Sequence, residues 1–316
     1  MSYTSKIKEE IAQIQITKSE MIAELSGFIR NNCYIDGSTI ILTTENEITK
    51  NRIEYFLREA YEVESIVEIK DSLNFSKNDL YVININDKTD HILKDIGYID
   101  NDGKILASPP TYIVGANEEI RAYLRGVFLT GGSINDPKTS RYHMEIIIYS
   151  SEEAVFVQKL LNIFDLNAKI LNRDRGYMIY IKEAEKISDF MKLLGANNAV
   201  LYFENVRIYR NQKNKANRLN NCEQANMDKV FISATEQLEQ IEIIEKYDCL
   251  NLLDSRTLQA LQYRKKYPES SLKELAEIIS LETGKTISKS GLNHRLRKIK
   301  ELSEKIKKKS QSKINQ

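Results

Sequence analysis

The residues of this sequence best suited to chemistry are the cations near its C-terminus, and the chemistry they suit is the binding of a polyanion. From Lys285 to Lys309 the basic residues greatly outnumber the acids, which are Glu301 and Glu304. The whole chain carries a formal net charge of only +1. A neutral chain with one strongly basic end predicts a local contact with a polyanion. A solvated lysine tail is the alternative for Lys305 to Lys309.

The stretch ISKSGLNHRLRKIKEL supplies side chains that could contact a nucleic acid. It predicts a helix with Ser288 as its N-cap. The apolar stripe of this helix is Leu292, Leu296 and Ile299. At about 100° per residue, the side chains projecting away from the stripe are those of Ser290, Asn293, His294, Arg297 and Lys298. These groups can hydrogen-bond base edges in a major groove, and Lys289 and Arg295 beside them suit backbone phosphates. We predict that all seven residues bind DNA, with Arg297 as the candidate for a guanine contact.

The helix that precedes this stretch completes a helix-turn-helix pattern. In SLKELAEIIS, Ser271 and Glu274 fit a capping box, in which each side chain satisfies a free backbone N–H at the helix start. The following loop, LETGKT, is longer than the usual turn of about 3–4 residues. A helix pair whose second member is polar and basic predicts a helix-turn-helix, and an ordinary helical hairpin is the alternative.

Further helices and a basic connector complete the C-terminal half. Apolar spacing predicts one helix from Asp228 to about Lys246 and another from about Asp254 or Ser255, in a region that Pro268 ends. We therefore assign 228–304 to an all-α helix-turn-helix domain and 305–316 to a basic tail. Residues 197–227 form a basic linker, either a helix that touches DNA phosphate or a solvated connector. Its candidate secondary DNA contacts are Arg207, Arg210, Lys213, Lys215 and Arg218.

The sequence contains no pattern for catalysis, metal binding or a cofactor. The histidines are His91, His143 and His294, and the cysteines are Cys33, Cys222 and Cys249. Neither set has the spacing of a metal site, a disulfide framework or a catalytic triad. No apolar run approaches the ~18 residues of a membrane span, and the N-terminus does not resemble a signal peptide. We therefore expect a cytoplasmic, nucleoid-associated protein that is not an enzyme and needs no cofactor.

The elements that must position these residues begin with an internal duplication. The segments EMIAELSGFIRNNCYID and EIRAYLRGVFLTGGSIN align without gaps. They predict apolar helices over Ser19 to about Asn32 and over Asn117 to about Gly131. Each helix contains a glycine, Gly27 or Gly126, which costs about 1 kcal/mol relative to alanine inside a helix. A helical glycine in both copies predicts close approach of the two helix backbones.

Each copy continues with the same series of elements. A β-rich stretch follows the first helix, YIDGSTIILTT in one copy and YHMEIIIYS in the other. An amphipathic helix, two short strands and a final helix come next, and the final helix ends at Gly97 or Gly195. The short segments between paired strands predict antiparallel sheets. The fold class is therefore α+β, with a duplicated αββαββα domain over 1–196 whose halves span about 18–97 and 117–195.

The Leu-x-Gly-x-Phe/Ile motif in both apolar helices resembles the LAGLIDADG homing-endonuclease fold. In that fold two αββαββ halves are joined by packed, glycine-containing helices, and an acidic residue near each helix end binds the catalytic metal. The matching positions here hold Asn32 and Gly131, while Asp36 and Asp136 lie outside the motif. A Mg²⁺ site for phosphodiester cleavage needs carboxylates. The resemblance therefore implies the fold without nuclease activity.

Two longer strings resemble the WhiA family of bacterial regulators. They are YLRGVFLTGGSINDP and ISKSGLNHRLRKIKELSEKI, and they occur in the order typical of that family. The resemblance implies a degenerate LAGLIDADG-like domain before a helix-turn-helix, with sequence-selective binding of double-stranded DNA and transcription control in cell division or sporulation. The alternatives are an active homing-type endonuclease and a protein-interaction scaffold with auxiliary DNA binding. We expect a monomer, with another transcription or division protein as a further partner.

Overall fold

The chain folds into two units, which are described one at a time. The computed structural model describes residues 2–70, 79–139 and 141–314, and only the backbone of 311–314. Contacts divide the chain into Met1–Arg210 and Asn211–Gln316. This division falls inside a single helix, Asn197–Lys246, whereas the sequence interpretation places the domain boundary after residue 196. The physical reason is that Ala199 and Phe203 of that helix are buried in the core of the first unit.

The first unit contains two copies of one α+β arrangement after an N-terminal helix, α1 (Tyr3–Ile11). The first copy comprises α2 (Lys18–Asn32), β1 (Cys33–Asp36), β2 (Thr39–Thr44), α3 (Glu47–Tyr61), β3 (Ile66–Lys70), β4 (Leu80–Ile85) and α4 (Thr89–Asp95). The second comprises α5 (Asn117–Gly131), β5 (Gly132–Ile134), β6 (Met144–Ile148), α6 (Ser151–Ile163), β7 (Lys169–Arg173), β8 (Gly176–Ile181) and α7 (Ala184–Leu194). The antiparallel sheets have the strand orders β1-β2-β4-β3 and β5-β6-β8-β7. This shared topology confirms the predicted α+β duplication.

The helices α2 and α5 pack against each other through their glycines. A Cβ atom at Gly27 would overlap the carbonyl oxygen of Tyr123, and a Cβ atom at Gly126 would overlap that of Glu24. Only glycine permits an approach this close without moving the backbone. The prediction that the two glycines mark a contact between helix backbones is therefore confirmed.

A buried ion network crosses the same pair of helices. One oxygen of Glu24 accepts a hydrogen bond from Arg52 Nε at 2.5 Å, and the other accepts from Arg52 Nη2 and Arg125 Nη1, both at 2.9 Å. The three side chains are at most 6% exposed. Because Arg125 belongs to the second copy and Glu24 to the first, the network joins the two halves.

The helix α1, which the sequence analysis did not predict, ties distant parts of the first unit together. Its apolar residues Tyr3, Ile7 and Ile11 are buried in the core. The Thr4 hydroxyl bonds both the N–H and the carbonyl of Ile134 at 3.0 Å, on the strand β5. The Glu10 carboxylate accepts from the backbone N–H groups of residues 198 and 199, at 2.6 and 3.0 Å, at the start of the long helix. A carboxylate at a helix N-terminus is stabilising, so α1 anchors that helix.

The second unit is helical, as the sequence predicts. It contains most of α8 (Asn197–Lys246), a 3₁₀ turn (Leu250–Leu252), α9 (Ser255–Lys266), α10 (Leu272–Thr283) and α11 (Lys289–Ile314). One core joins the end of α8 to the three later helices, with Ile241, Leu261, Ile279 and Leu296 among its buried residues. In the described part of the chain, no helix combines the length and apolarity of a membrane span.

Three segments of the C-terminal half differ from the sequence predictions. The linker 197–227 is helical, which is one of its two predicted forms, but it is continuous with the next predicted helix, so no helix begins at Asp228. LETGKT is only partly a loop, because α10 continues through Thr283 until Gly284, at φ +66°, ends it. The turn between α10 and α11 is therefore 284–288. The predicted basic tail is helical through Ile314, because Ile306 is buried against the core of this unit.

Candidate nucleic-acid interface

The start of α11 is fixed by capping and by packing. The Ser288 hydroxyl accepts from the backbone N–H of Gly291 at 3.1 Å, which confirms the predicted N-cap. The preceding residue, Ile287, donates its backbone N–H to the Ser280 hydroxyl of α10 at 2.9 Å. The predicted apolar stripe of α11 is buried in the core of the second unit. Because cap and stripe set the rotation of the helix, the opposite face must point to solvent.

That opposite face carries the polar residues predicted to bind DNA. Exposed side chains on the first three turns of α11 are those of Lys289, Ser290, Asn293, His294, Arg297 and Lys298. Arg295 is only half-buried and lies at the edge, where its guanidinium donates to the carbonyl of Arg256 at 3.4 Å. The structure therefore brings these six exposed side chains together on one surface and places Arg295 at the border of that surface.

Lys298 has a protein partner that the sequence analysis did not foresee. Its Nζ lies 3.0 Å from the carboxylate of Asp254, the N-cap of α9. Asp254 also accepts from the backbone N–H and the hydroxyl of Thr257, both at 2.9 Å. The Thr257 N–H, followed by Lys298, holds the pKa of the Asp254 carboxyl well below its usual range. Lys298 thus links α11 to α9 in addition to presenting charge on the surface.

The candidate secondary contacts on α8 fall into two groups. Arg207 pairs with Glu204 of the same helix at 2.9 Å and with Glu185 of α7 at 3.3 Å. Arg210 donates to the carbonyls of Pro137 and Thr139, both at 2.6 Å. Both arginines are therefore engaged in the packing of the first unit. The remaining members of the set have exposed side chains and are Lys213, Lys215 and Arg218.

Positions 32 and 131 match the metal-binding acids of homing endonucleases, but here they hold an asparagine and a glycine. The Asn32 amide donates to the Thr43 carbonyl and accepts from the Thr43 hydroxyl at 3.0 Å. At Gly131 a Cβ atom would overlap the Ile147 carbonyl oxygen and press against the amide of Asn31. Among the described residues, no three His, Cys, Asp or Glu side chains are grouped as a metal site. Position 131 therefore has no room for any side chain, including that of an acid.

A groove of about 1150 Å³ lies at the ends of α2 and α5, where those two positions meet. Among the described residues that line it, the carboxylates are those of Glu9, Glu45, Glu47 and Asp79, and the cation is Lys8. Burial lowers the pKa of Lys8 to about 8, although Glu45 opposes that shift. A groove with this excess of carboxylates repels a phosphate chain.

The histidines and cysteines are dispersed in the structure as they are in the sequence. His143 directly precedes β6, stacks on Tyr180 and contacts Glu145 at 3.1 Å, and His91 packs edge-on against Tyr61. The three cysteines are free. Of the three histidines, His294 is the one on the exposed face of α11.

Comparison with known proteins gives one consistent result. Three family models match in succession: the WhiA N-terminal LAGLIDADG-like domain over 18–99, the WhiA LAGLIDADG-like domain over 120–213 and the WhiA C-terminal HTH domain over 216–303. A relative from Exiguobacterium sibiricum, named probable cell division protein WhiA, is 40% identical over 97% of each chain. One from Enterococcus faecalis with the same name is 39% identical over 98% of this chain and 100% of its own.

A solved structure shows the same fold. The crystal structure of full-length DUF199/WhiA from Thermatoga maritima is 21% identical, with a TM-score of 0.59 over 96% of this chain and 99% of that chain. In this chain the two LAGLIDADG-like models match the duplicated α+β domain, and the HTH model matches the helical C-terminal unit described above. With relatives matched along nearly its whole length and all three domain models in order, this chain belongs to the WhiA family.

Proposed function

We propose that this protein is a non-enzymatic regulator that reads double-stranded DNA with the first turns of α11. The observation that carries the proposal is the exposed face on which Asn293, His294 and Arg297 lie side by side, with Ser290 one turn earlier. An asparagine amide matches the edge of adenine, and a guanidinium matches O6 and N7 of guanine. Lys289 lies at the start of the same helix, where a phosphate contact would fix its register on the duplex.

The helix-turn-helix geometry supports this use of α11. The five-residue turn 284–288 is close to the usual length, and α10 and α11 share one buried core. Of the secondary set on α8, we propose that the exposed Lys213, Lys215 and Arg218 contact phosphate, because Arg207 and Arg210 already bond the first unit. Such contacts would add affinity without sequence preference.

The proposal assigns no catalysis to the LAGLIDADG-like domain. Metal-assisted cleavage requires carboxylates that hold the ion beside the scissile phosphate. Here Asn32 is bonded to Thr43, and Gly131 is closed in by backbone. The carboxylates of the neighbouring groove lie among side chains that do not form a metal cluster in the described ranges. We propose that this domain serves as a scaffold.

The names of the relatives indicate the process. They are called probable cell division proteins, and we propose that DNA binding by this chain controls transcription in cell division, and in sporulation where the host forms spores. This role would place the protein at the nucleoid in the cytoplasm.

Chromatin mapping of the tagged chain, followed by binding measurements, tests the proposal. The most enriched sequence is compared with a random duplex of equal length by fluorescence anisotropy. We expect roughly 10³-fold or greater preference for the enriched sequence, and both duplexes should remain uncut in Mg²⁺ or Mn²⁺. Equal affinity for the two duplexes would refute sequence selectivity, and absence of binding to both would refute DNA binding altogether.

A further inference from the structure

The C-terminal half of α11 is a fixed part of the second unit. The helix runs without a break from Lys289 to Ile314. Leu302 lies after the turns that are proposed to contact bases, and it packs against the core of the second unit. Ile306, one turn later, is buried in that core. A helix held by a buried residue at 306 has a defined rotation there. The lysines that follow are therefore presented in fixed directions, unlike those of a loose tail.

The exposed face of α11 continues into this second half. At about 100° per residue, Lys308 lies roughly 20° from the direction of Arg297, and Lys307 roughly 80° to the other side. Both side chains are exposed, and neither pairs with a side chain in the described part of the chain. Between them and Arg297 the same side of the helix carries two acids, Glu301 and Glu304, and two exposed lysines, Lys300 and Lys305. The face thus has an N-terminal end with the residues proposed to contact bases, a middle part of mixed charge, and a second basic end.

The distance between the two ends matches the dimensions of DNA. A helix rises about 1.5 Å per residue, so Lys307 and Lys308 lie roughly 15 Å beyond Arg297 along the axis. The major groove is about 12 Å wide. With the first turns of α11 inside the groove, Lys307 and Lys308 reach the sugar-phosphate backbone that borders the groove. The middle part of mixed charge then lies where the helix leaves the groove, between one set of contacts and the other.

We infer that Lys307 and Lys308 form a second DNA-binding site, for backbone phosphates that flank the recognised bases. The inference rests on the proposed function, since it requires the first turns of α11 to lie in the major groove. A phosphate site carries no base preference, so it stabilises specific and random complexes equally. It also fixes the angle at which α11 leaves the groove, because the helix then contacts the duplex at two separated points.

A change of helical phase distinguishes this site from a solvated lysine tail. Two alanines inserted after Ile306 turn every later residue by about 200°, so they carry Lys307 and Lys308 off the exposed face. The same insertion turns Lys309 onto that face, roughly 40° from the direction of Arg297. Four alanines turn them by about 400°, which returns both lysines to the exposed face. A flexible tail would be insensitive to either insertion, because it keeps the same charges. Ile306 precedes both insertions, so the core of the unit is unchanged.

The experiment is a salt titration of binding to the specific and random duplexes by the full chain. Lys307→Ala/Lys308→Ala should lower the slope of log affinity against log salt by about two, equally on both duplexes. The two-alanine insertion should lower it by about one, because Lys309 takes the place of the two lysines that leave the face. The four-alanine insertion and the matched control Lys229→Ala/Lys246→Ala should keep the parent slope. The inference would be overturned if the two-alanine variant kept the parent slope, or if both insertions lowered the slope equally. A parent chain that binds neither duplex would instead overturn the proposed function.

Discussion

Replacing Glu24 with glutamine preserves the shape of the side chain but removes the negative charge from the ion network between the two halves. Arg125 then keeps a hydrogen bond to the Leu194 carbonyl at 3.2 Å but has no charged acceptor in the network. Arg52 is less affected, because it also donates to backbone carbonyls at 3.0 and 2.7 Å. Since both guanidinium groups are nearly inaccessible to water, solvent cannot compensate for the lost charge.

The expected loss follows from this burial. Removing one partner of a buried ion pair costs about 3–5 kcal/mol, so Glu24→Gln should lower the free energy of unfolding of the first unit by that amount. For a unit of this size each kcal/mol moves the thermal midpoint by about 2–4 °C, which predicts a fall of roughly 6–20 °C. Adding Arg125→Met removes the uncompensated guanidinium, so the double variant should regain part of the loss.

Scanning calorimetry of the full chain measures these changes. The matched control is Asp189→Asn, which breaks the ion pair with Lys192 at 3.0 Å, where both side chains are about half exposed. Such a surface pair contributes at most about 1 kcal/mol. If Glu24→Gln shifts the midpoint no more than the control, the network is not desolvated. If adding Arg125→Met to Glu24→Gln lowers the thermal midpoint further, the unpaired guanidinium of Arg125 is not the cause of the lost stability.

Arg297→Ala should weaken the specific duplex by about 1–3 kcal/mol more than a random duplex, whereas Lys289→Ala should weaken both alike and lower the salt slope by about one. Anisotropy titrations separate these effects, and equal loss on both duplexes for Arg297→Ala would rule out a base contact. Asn32→Asp/Gly131→Asp should lower the thermal midpoint and leave DNA uncut in Mg²⁺ or Mn²⁺, because a side chain at 131 overlaps backbone; cleavage in a gel assay would contradict this explanation. Lys8→Met should stabilise the first unit at pH 7, because burial lowers the pKa of Lys8 from 10.5 to about 8 and disfavours its charged form in the folded state. Between pH 8 and 10.5 the folded chain has lost this proton while the unfolded chain retains it, so the gain should shrink as pH rises. Thermal melts of both proteins at pH 7 and 9.5 test this, and a constant difference would refute it.

The parts of the fold that could be predicted from sequence are those with a local or a repeated signal. The two glycines could be interpreted because each appears in the same position of a duplicated helix, which made a helix contact the simplest cause. The capping box of Ser271 and Glu274 depends on residues three apart, and it forms as expected. Likewise the exposed face of α11 followed from its apolar stripe alone.

The parts that could not be predicted depend on partners far away in the chain. The helix α1 has apolar residues at every fourth position, but nine residues are too few to form a stable helix without tertiary contacts. Those contacts join residues 130 and 188 positions apart. The pairing of Lys298 with Asp254 spans 44 positions and depends on how α9 crosses α11. Periodicity within one segment contains no information about such crossings.

The position of α1 also has a consequence for synthesis of the chain. This segment is synthesised before its partners: Thr4 bonds Ile134, and Glu10 bonds the start of α8 at residues 198 and 199. At about 5–20 residues per second, α1 remains without its final partners for roughly 10–40 s. During that interval Ile7 and Ile11 have no completed core to enter. The apolar side chains of this segment therefore stay exposed until residue 199 has been made, so folding of the first unit cannot be completed before that point.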